Sequence, residues 1–250
     1  MAKASKRVRI AALADVHYGR SPQTSLQPLF VQMVERADVL LLCGDLTDHG
    51  LPDEAQMLAR DLGPAMKVPV VAVLGNHDFH SGKQAEVQKV LRDAGVHVLD
   101  GDDFEVQGVG FAGVKGFMGG FGRRILEPWG EASIKELVQE AIAEALKLET
   151  ALARLRTPQR IGVLHYAPVQ DTVEGEPLEI FPFLGCSRLE EPLNRHQVAT
   201  VFHGHAHHGR PEGKTGTGIP VYNVSLPLLR RATPEQPYRV IEVAAEGKEV

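Results

Sequence analysis

Five short clusters of Asp, Asn and His punctuate the chain: Asp15-x-His17, Gly44-Asp45-x-x-Asp48, Gly75-Asn76-His77-Asp78, a lone His165, and Gly204-His205-x-His207. Carboxylate, carboxamide and imidazole together form the donor set of a Mn, Fe or Zn centre, and no thiolate accompanies them to favour a Cys-type zinc site. Taken singly, the clusters are ordinary. Asp-x-His arises by chance, Gly-Asp after a strand serves as a turn or helix cap, and a single histidine after a strand is commonly a hydrogen-bonded core residue. Their shared placement changes the reading, because each one follows a short apolar run.

Those runs are the elements that must position the clusters. Val8–Ala14, Val39–Cys43 and Val70–Leu74 are almost continuously apolar, the pattern of strands covered on both faces. Further strands are expected at Phe104–Gln107, Val109–Val114, Ile161–Leu164, Thr200–His203, Ile219–Val224 and Tyr238–Val243. Helices are expected over Asp53–Gly63 and Lys83–Gly95, each closed by glycine. The longest helix is expected over Glu131–Arg156, where Ile134, Leu137, Val138, Ala141, Ile142, Ala145, Leu148, Leu152 and Leu155 follow the helical period and should pack on a sheet. Ser187-x-x-Glu190 has the form of a capping box opening a short helix toward Arg195. The first third therefore reads as βαβ units and the rest as more β-rich, in one α/β domain over residues 1–250.

Open α/β sheets collect functional groups at the carboxyl ends of parallel strands, which is where the clusters fall. In an extended segment, residues two apart face the same side, so Asp15 with His17, and His205 with His207, should converge. The glycines before Asp45, Asn76 and His205 are expected to turn the backbone so that the next side chain points into a common site.

The bulk properties narrow the partners. With 250 residues, 43% of them hydrophobic, the chain can bury one sizeable core. A net charge of −5 argues against a general nucleic-acid binder. No apolar stretch approaches the ~20 residues of a membrane span, and the basic start MAKASKRVRI leads into no signal-peptide core. Two cysteines are too few for a disulfide framework. The expectation is a soluble cytoplasmic protein acting on a small molecule, with neither nucleic acid nor membrane as partner, and with its oligomeric state open.

The five motifs, running from Asp15 to His207, closely resemble the signature of the calcineurin-like metallophosphoesterases: Asp-x-His, Gly-Asp-x-x-Asp, Gly-Asn-His-Asp/Glu, a lone His, and Gly-His-x-His. The resemblance implies a four-layer αββα sandwich with two divalent metal ions at the strand ends, Mn being expected and Fe or Zn the alternatives. Carried over residue by residue, it gives one metal to Asp15, His17 and His207, the other to Asn76, His165 and His205, and makes Asp45 the bridge. Asp48 is then no ligand but the residue that orients His77. Purple acid phosphatases place an iron-binding Tyr where Asp48 stands, which separates this chain from them.

The implied chemistry is phosphoester hydrolysis, in which a metal-bridging hydroxide attacks phosphorus while His77 protonates the leaving group as general acid. Two dications less Asp15, Asp45 and hydroxide leave about one positive charge, which matches a singly charged diester of a small substrate. A phosphomonoesterase or a nuclease is the alternative. A non-catalytic scaffold is disfavoured because every ligand position is filled. GVKGFMGGFGRR (Gly113–Arg124) lacks the Gly-Lys-Ser/Thr of a P-loop and reads as a flexible rim loop carrying Arg123 and Arg124. Arg188 is expected to be solvated on a first helical turn. Specificity is expected in Lys115–Trp129 and Tyr166–Arg188. His49, His80, His97, His196, His203 and His208 read as surface or strand residues.

Overall fold

The computed structural model describes residues 6–19 and 25–245; the first residues of the basic N-terminal stretch lie outside them. Two sheets pack face to face. The first contains β1 (Lys6–Leu13), β2 (Val39–Cys43), β3 (Val70–Val73), β4 (His97–Val98) and β11 (Arg239–Ala245), in the order β11-β1-β2-β3-β4. Only β11 is antiparallel to its neighbour. The second contains β5 (Asp102–Val106), β6 (Val109–Gly113), β7 (Gln159–Val163), β8 (Thr200–His203), β9 (Glu212–Lys214) and β10 (Pro220–Asn223), in the order β5-β6-β7-β8-β10-β9. Strands β6, β7, β8 and β10 run parallel in it.

The apolar runs are explained by what covers each face. Along β1 and β2, Ile10, Ala12, Val39, Leu41 and Cys43 face the second sheet, where they meet Phe111, Ile161 and Phe202. The alternate residues Ala11, Leu13, Leu40 and Leu42 face outward, onto a helical layer that contributes Phe30, Met33, Leu58 and Val87. That layer is α1 (Gln27–Glu35), α2 (Pro52–Leu62) and α3 (Gln84–Asp93). On the far side, α4 (Ala132–Arg154) and α6 (Glu190–Arg195) bring Leu148, Leu152 and Leu193 onto Val114, Leu164 and Val201. The result is the four-layer αββα sandwich. No helix among the described residues is long and apolar enough to cross a membrane.

Some elements carry weak sequence signals. α1 buries only Phe30 and Met33, α5 is a single turn over Phe181–Leu184, and α7 (Leu226–Ala232) is short. The expected capping box at Ser187 does not form. α6 begins at Glu190, behind a 3-10 turn over Ser187–Leu189, with no side-chain cap. The Ser187 hydroxyl instead accepts the Gly122 N–H at 2.9 Å, a long-range partner that outcompetes the local one.

Candidate metal centre

Asp15 follows β1, Asp45 follows β2, Asn76 lies just beyond β3, His165 follows β7, and His205 and His207 follow β8. Their convergence does not come from an extended pleat, as the spacing suggested. Asp15, His17, Asp45 and His205 take φ values of +57°, +43°, +48° and +69°, the left-handed region that residues with a Cβ seldom occupy. Backbone bonds hold these turns in place. Asp15 N–H donates to Gly44 O and His17 N–H to Asp45 O, both at 3.0 Å, so the two strand exits are zipped together. His205 N–H donates to both oxygens of Asp15, at 3.1 and 3.0 Å.

Gly75 and Gly204 serve close approach rather than turning, since neither is left-handed. A Cβ on Gly75 would collide with the Asp45 amide and carboxylate, and one on Gly204 with the Asp15 carboxylate.

The side chains gather into linked sets. One ligand atom each from Asp15, His17 and His207 lie within 4.8 Å of one another, as do those of Asp45, His165 and His205. A third such set, His17, Asp45 and His77, joins the two. Asp45 faces both ways: Oδ2 is 3.8 Å from His17 Nε2 and Oδ1 is 3.3 Å from His165 Nε2. Asn76 Oδ1 is 2.8 Å from His165 Nε2, and His207 Nε2 is 3.2 Å from Asp15 Oδ1. His165 Nδ1–H donates to the Cys43 carbonyl at 3.1 Å, leaving Nε2 for the cluster.

This donor set fits cations. Both ring nitrogens of His17 are buried without a hydrogen-bond partner. Burial pushes the Asp45 carboxyl above its ordinary range, and the neighbouring Asp15 charge adds to the shift. Burial likewise raises Asp15, but the His207 hydrogen bond and the surrounding histidines outweigh it and hold the group down. Burial pulls His165 down to about 4 and His205 to about 3. Neutral imidazoles with free lone pairs beside crowded carboxylates are what a pair of divalent ions requires.

His77 and Asp48 are neighbours through an unexpected atom. His77 Nδ1 is 2.8 Å from the main-chain carbonyl of Asp48, whereas the Asp48 carboxylate stands 3.8 Å away. That carboxylate lies closer to His17 Nδ1 (3.4 Å) and His49 Nδ1 (3.3 Å). Asp78, part of the Gly-Asn-His-Asp motif but given no role by it, turns out to be structural. It is fully buried and accepts the amides of Leu46, Thr47 and Gly75 together with the Thr47 hydroxyl, so it staples the β3 exit to the β2 exit.

The rim also differs from expectation. The Gly113–Arg124 loop is pinned to the other rim segment by Gly119 N–H to Pro182 O (2.8 Å) and Gly120 N–H to Gly185 O (2.9 Å). Arg188 is largely covered rather than free in solvent: it donates to Leu126 O at 2.9 Å and pairs with Glu127 at 3.4 Å, tying the two segments together. Arg123 and Arg124 are exposed. His203 is a core residue, its Nε2 2.7 Å from the Thr172 hydroxyl. His97 stacks on Phe104 and His196 pairs with Glu149.

Against known proteins, residues 8–209 match the family model described as calcineurin-like phosphoesterase. No curated protein matches in sequence. Among solved structures, one from Thermus thermophilus is similar at TM-score 0.54 and 15% identity, covering 96% of this chain and 100% of its own. The purple acid phosphatase PPD1 of yellow lupin is similar at TM-score 0.57 and 13% identity, covering 90% of this chain and 44% of its own. A putative 5'-nucleotidase from Staphylococcus aureus is similar at TM-score 0.50 and 17% identity, covering 87% and 48%.

Proposed function

The chain belongs to the calcineurin-like phosphoesterase family, and on that premise we propose that it hydrolyses a small phosphodiester at the Asp45-centred cluster. The observation that carries this reading is the two-sided position of Asp45, one oxygen toward His17 and the other toward His165. Asp15, His17 and His207 would hold one divalent ion, Asn76, His165 and His205 the other, and Asp45 would touch both. When bound, the pair supplies Lewis acidity and a water acidic enough to attack phosphorus at neutral pH, with Mn²⁺ the preferred metal.

The chain's own groups do the remaining work. The Cys43 carbonyl fixes the tautomer of His165. His77 Nδ1–H is committed to the Asp48 carbonyl, which leaves Nε2 as the nitrogen that, in the imidazolium form, would give its proton to the departing alkoxide or phenoxide. His77 N–H donates to Asp45 Oδ1 at 2.9 Å, which keeps the acid in register with the bridging carboxylate. Asp15 and Asp45 are the only carboxylates among the seven ligand positions, so the loaded site keeps a small positive charge suited to a singly charged diester. Net charge of −5 supports a small-molecule rather than a nucleic-acid substrate, and a cytoplasmic location belongs to the same reading.

Comparing kcat/KM for bis(p-nitrophenyl) phosphate and p-nitrophenyl phosphate at equal Mn²⁺ tests it. The diester should be preferred. A monoester preference of about tenfold, ~1.4 kcal/mol in the barrier, would overturn the diester reading.

A further inference from the structure

Lys115, at the start of the Gly-rich rim loop, has no part in the chemistry above, yet its surroundings are unusual for a lysine. Its ammonium lies 5.3 Å from the Phe79 ring centroid, 4.7 Å from that of Phe117 and 5.3 Å from that of Tyr166. One N–H reaches the Gly116 carbonyl at 2.8 Å. Among the described residues no carboxylate forms an ion pair with it. Glu144 acts on it most strongly among the carboxylates, ahead of Glu140 and Asp100, but that buried carboxylate is taken by the Gly116 amide and by Lys147, both at 2.8 Å.

A half-buried ammonium gains from ring faces, but it has three donors, and among the described residues only one is used. Withdrawing such a charge from water without a direct anionic partner is costly, so the arrangement suits an anion in contact with the ammonium, which none of the described residues supplies. Its place says where that anion comes from. Tyr166 is in ring contact with His205 at 4.5 Å and His165 at 5.5 Å, which puts Lys115 one ring removed from the ligand cluster. Phe79 ends the turn that begins at His77.

We propose that Lys115 seats a second anionic group of the substrate, a phosphate or carboxylate a few bonds from the phosphorus that reacts. This rests on reading the adjacent cluster as the reaction site. The substrate class is then a phosphoester with a neighbouring anion, the reacting phosphorus lying at the Asp45 cluster and the second charge against the Phe79, Phe117 and Tyr166 rings.

Isothermal titration calorimetry at fixed free Mn²⁺ tests the proposal with three non-hydrolysable ligands: methylphosphonate, phosphonoacetate and methylenediphosphonate. Wild-type protein should bind at least one of the two-anion ligands about tenfold or more tighter than methylphosphonate, and the better of the two identifies the second group as carboxylate or phosphate. Lys115→Met keeps the apolar stem and should lose that advantage, while Lys115→Arg should keep most of it. An equal advantage in Lys115→Met overturns the proposal. So does an equal loss for all three ligands, which would put Lys115 on the reacting group itself. Elemental analysis of the same samples separates the two readings: absence of bound ions in the wild type removes the site assignment, and the proposal with it.

Discussion

Asp48→Asn removes a carboxylate but keeps the carbonyl that holds His77, so it separates two ways of orienting a general acid. The carboxylate is 3.8 Å from His77 Nδ1, and the two side chains are 40% and 38% exposed. With that much water around it, the attraction is close to the aqueous limit of about 1 kcal/mol at such a distance, about fivefold in rate. The carbonyl hydrogen bond at 2.8 Å survives the substitution. Asp48→Asn should therefore cost no more than about tenfold, spread evenly over good and poor leaving groups. His77→Ala removes the acid itself and should cost about 10²–10⁴-fold with poor leaving groups, and far less with nitrophenolate. The assay is kcat/KM across aryl phosphoesters of graded leaving-group acidity, at saturating Mn²⁺. A leaving-group dependence in Asp48→Asn as steep as in His77→Ala would refute the reasoning, because the carboxylate would then be holding the acid.

Further expectations concern metal, packing and pH. Asp45→Asn should empty both sites whereas His207→Ala should empty mainly one, and full occupancy of Asp45→Asn by elemental analysis would remove the bridging role. Gly75→Ala drives a methyl group into Asp45 and His165; it should cost about 1–3 kcal/mol in denaturant unfolding of the chelated protein, and an unchanged midpoint would contradict the close approach. Burial pulls His203 down to about 4, with the Gly204 carbonyl and Asp15 opposing. The unfolded chain, whose histidine keeps the ordinary value near 6.5, therefore takes up the proton first. The stability gained from burying His203 neutral is present above about pH 6.5 and is lost as pH falls toward about 4, by a few kcal/mol. His203→Gln in chelated protein should flatten that fall, and an identical pH slope would show that His203 does not contribute.

The strands were legible because both faces of β1, β2 and β3 are covered, which forces near-continuous apolar runs. The cluster was legible because its donors are side chains at strand ends. Main-chain roles were not, since a carbonyl has no letter of its own: the hold of Asp48 on His77 and of Cys43 on His165 leaves no trace in residue type. The left-handed turns at Asp15 and Asp45 were hidden for the same reason. Lys115 was hidden differently, its three rings coming from segments separated by up to 87 positions, from Phe79 to Tyr166. Ser187 misled because the amide of Gly122, 65 residues earlier, claims its hydroxyl.

The candidate ligands are divided between the two sheets, Asp15, His17, Asp45 and Asn76 after strands of the first and His165, His205 and His207 after strands of the second. That division has a consequence for assembly in time. While the chain emerges from the ribosome, β1, β2 and β3 can gather their carboxylates long before any imidazole of the second sheet exists, and one proposed ion lacks a full set of protein ligands until His205, the other until His207, has left the exit tunnel. Metal loading would thus be a late event that inspects the docked sheets: a chain whose halves met in the wrong register would hold its ions poorly, and chelator sensitivity would report misassembly.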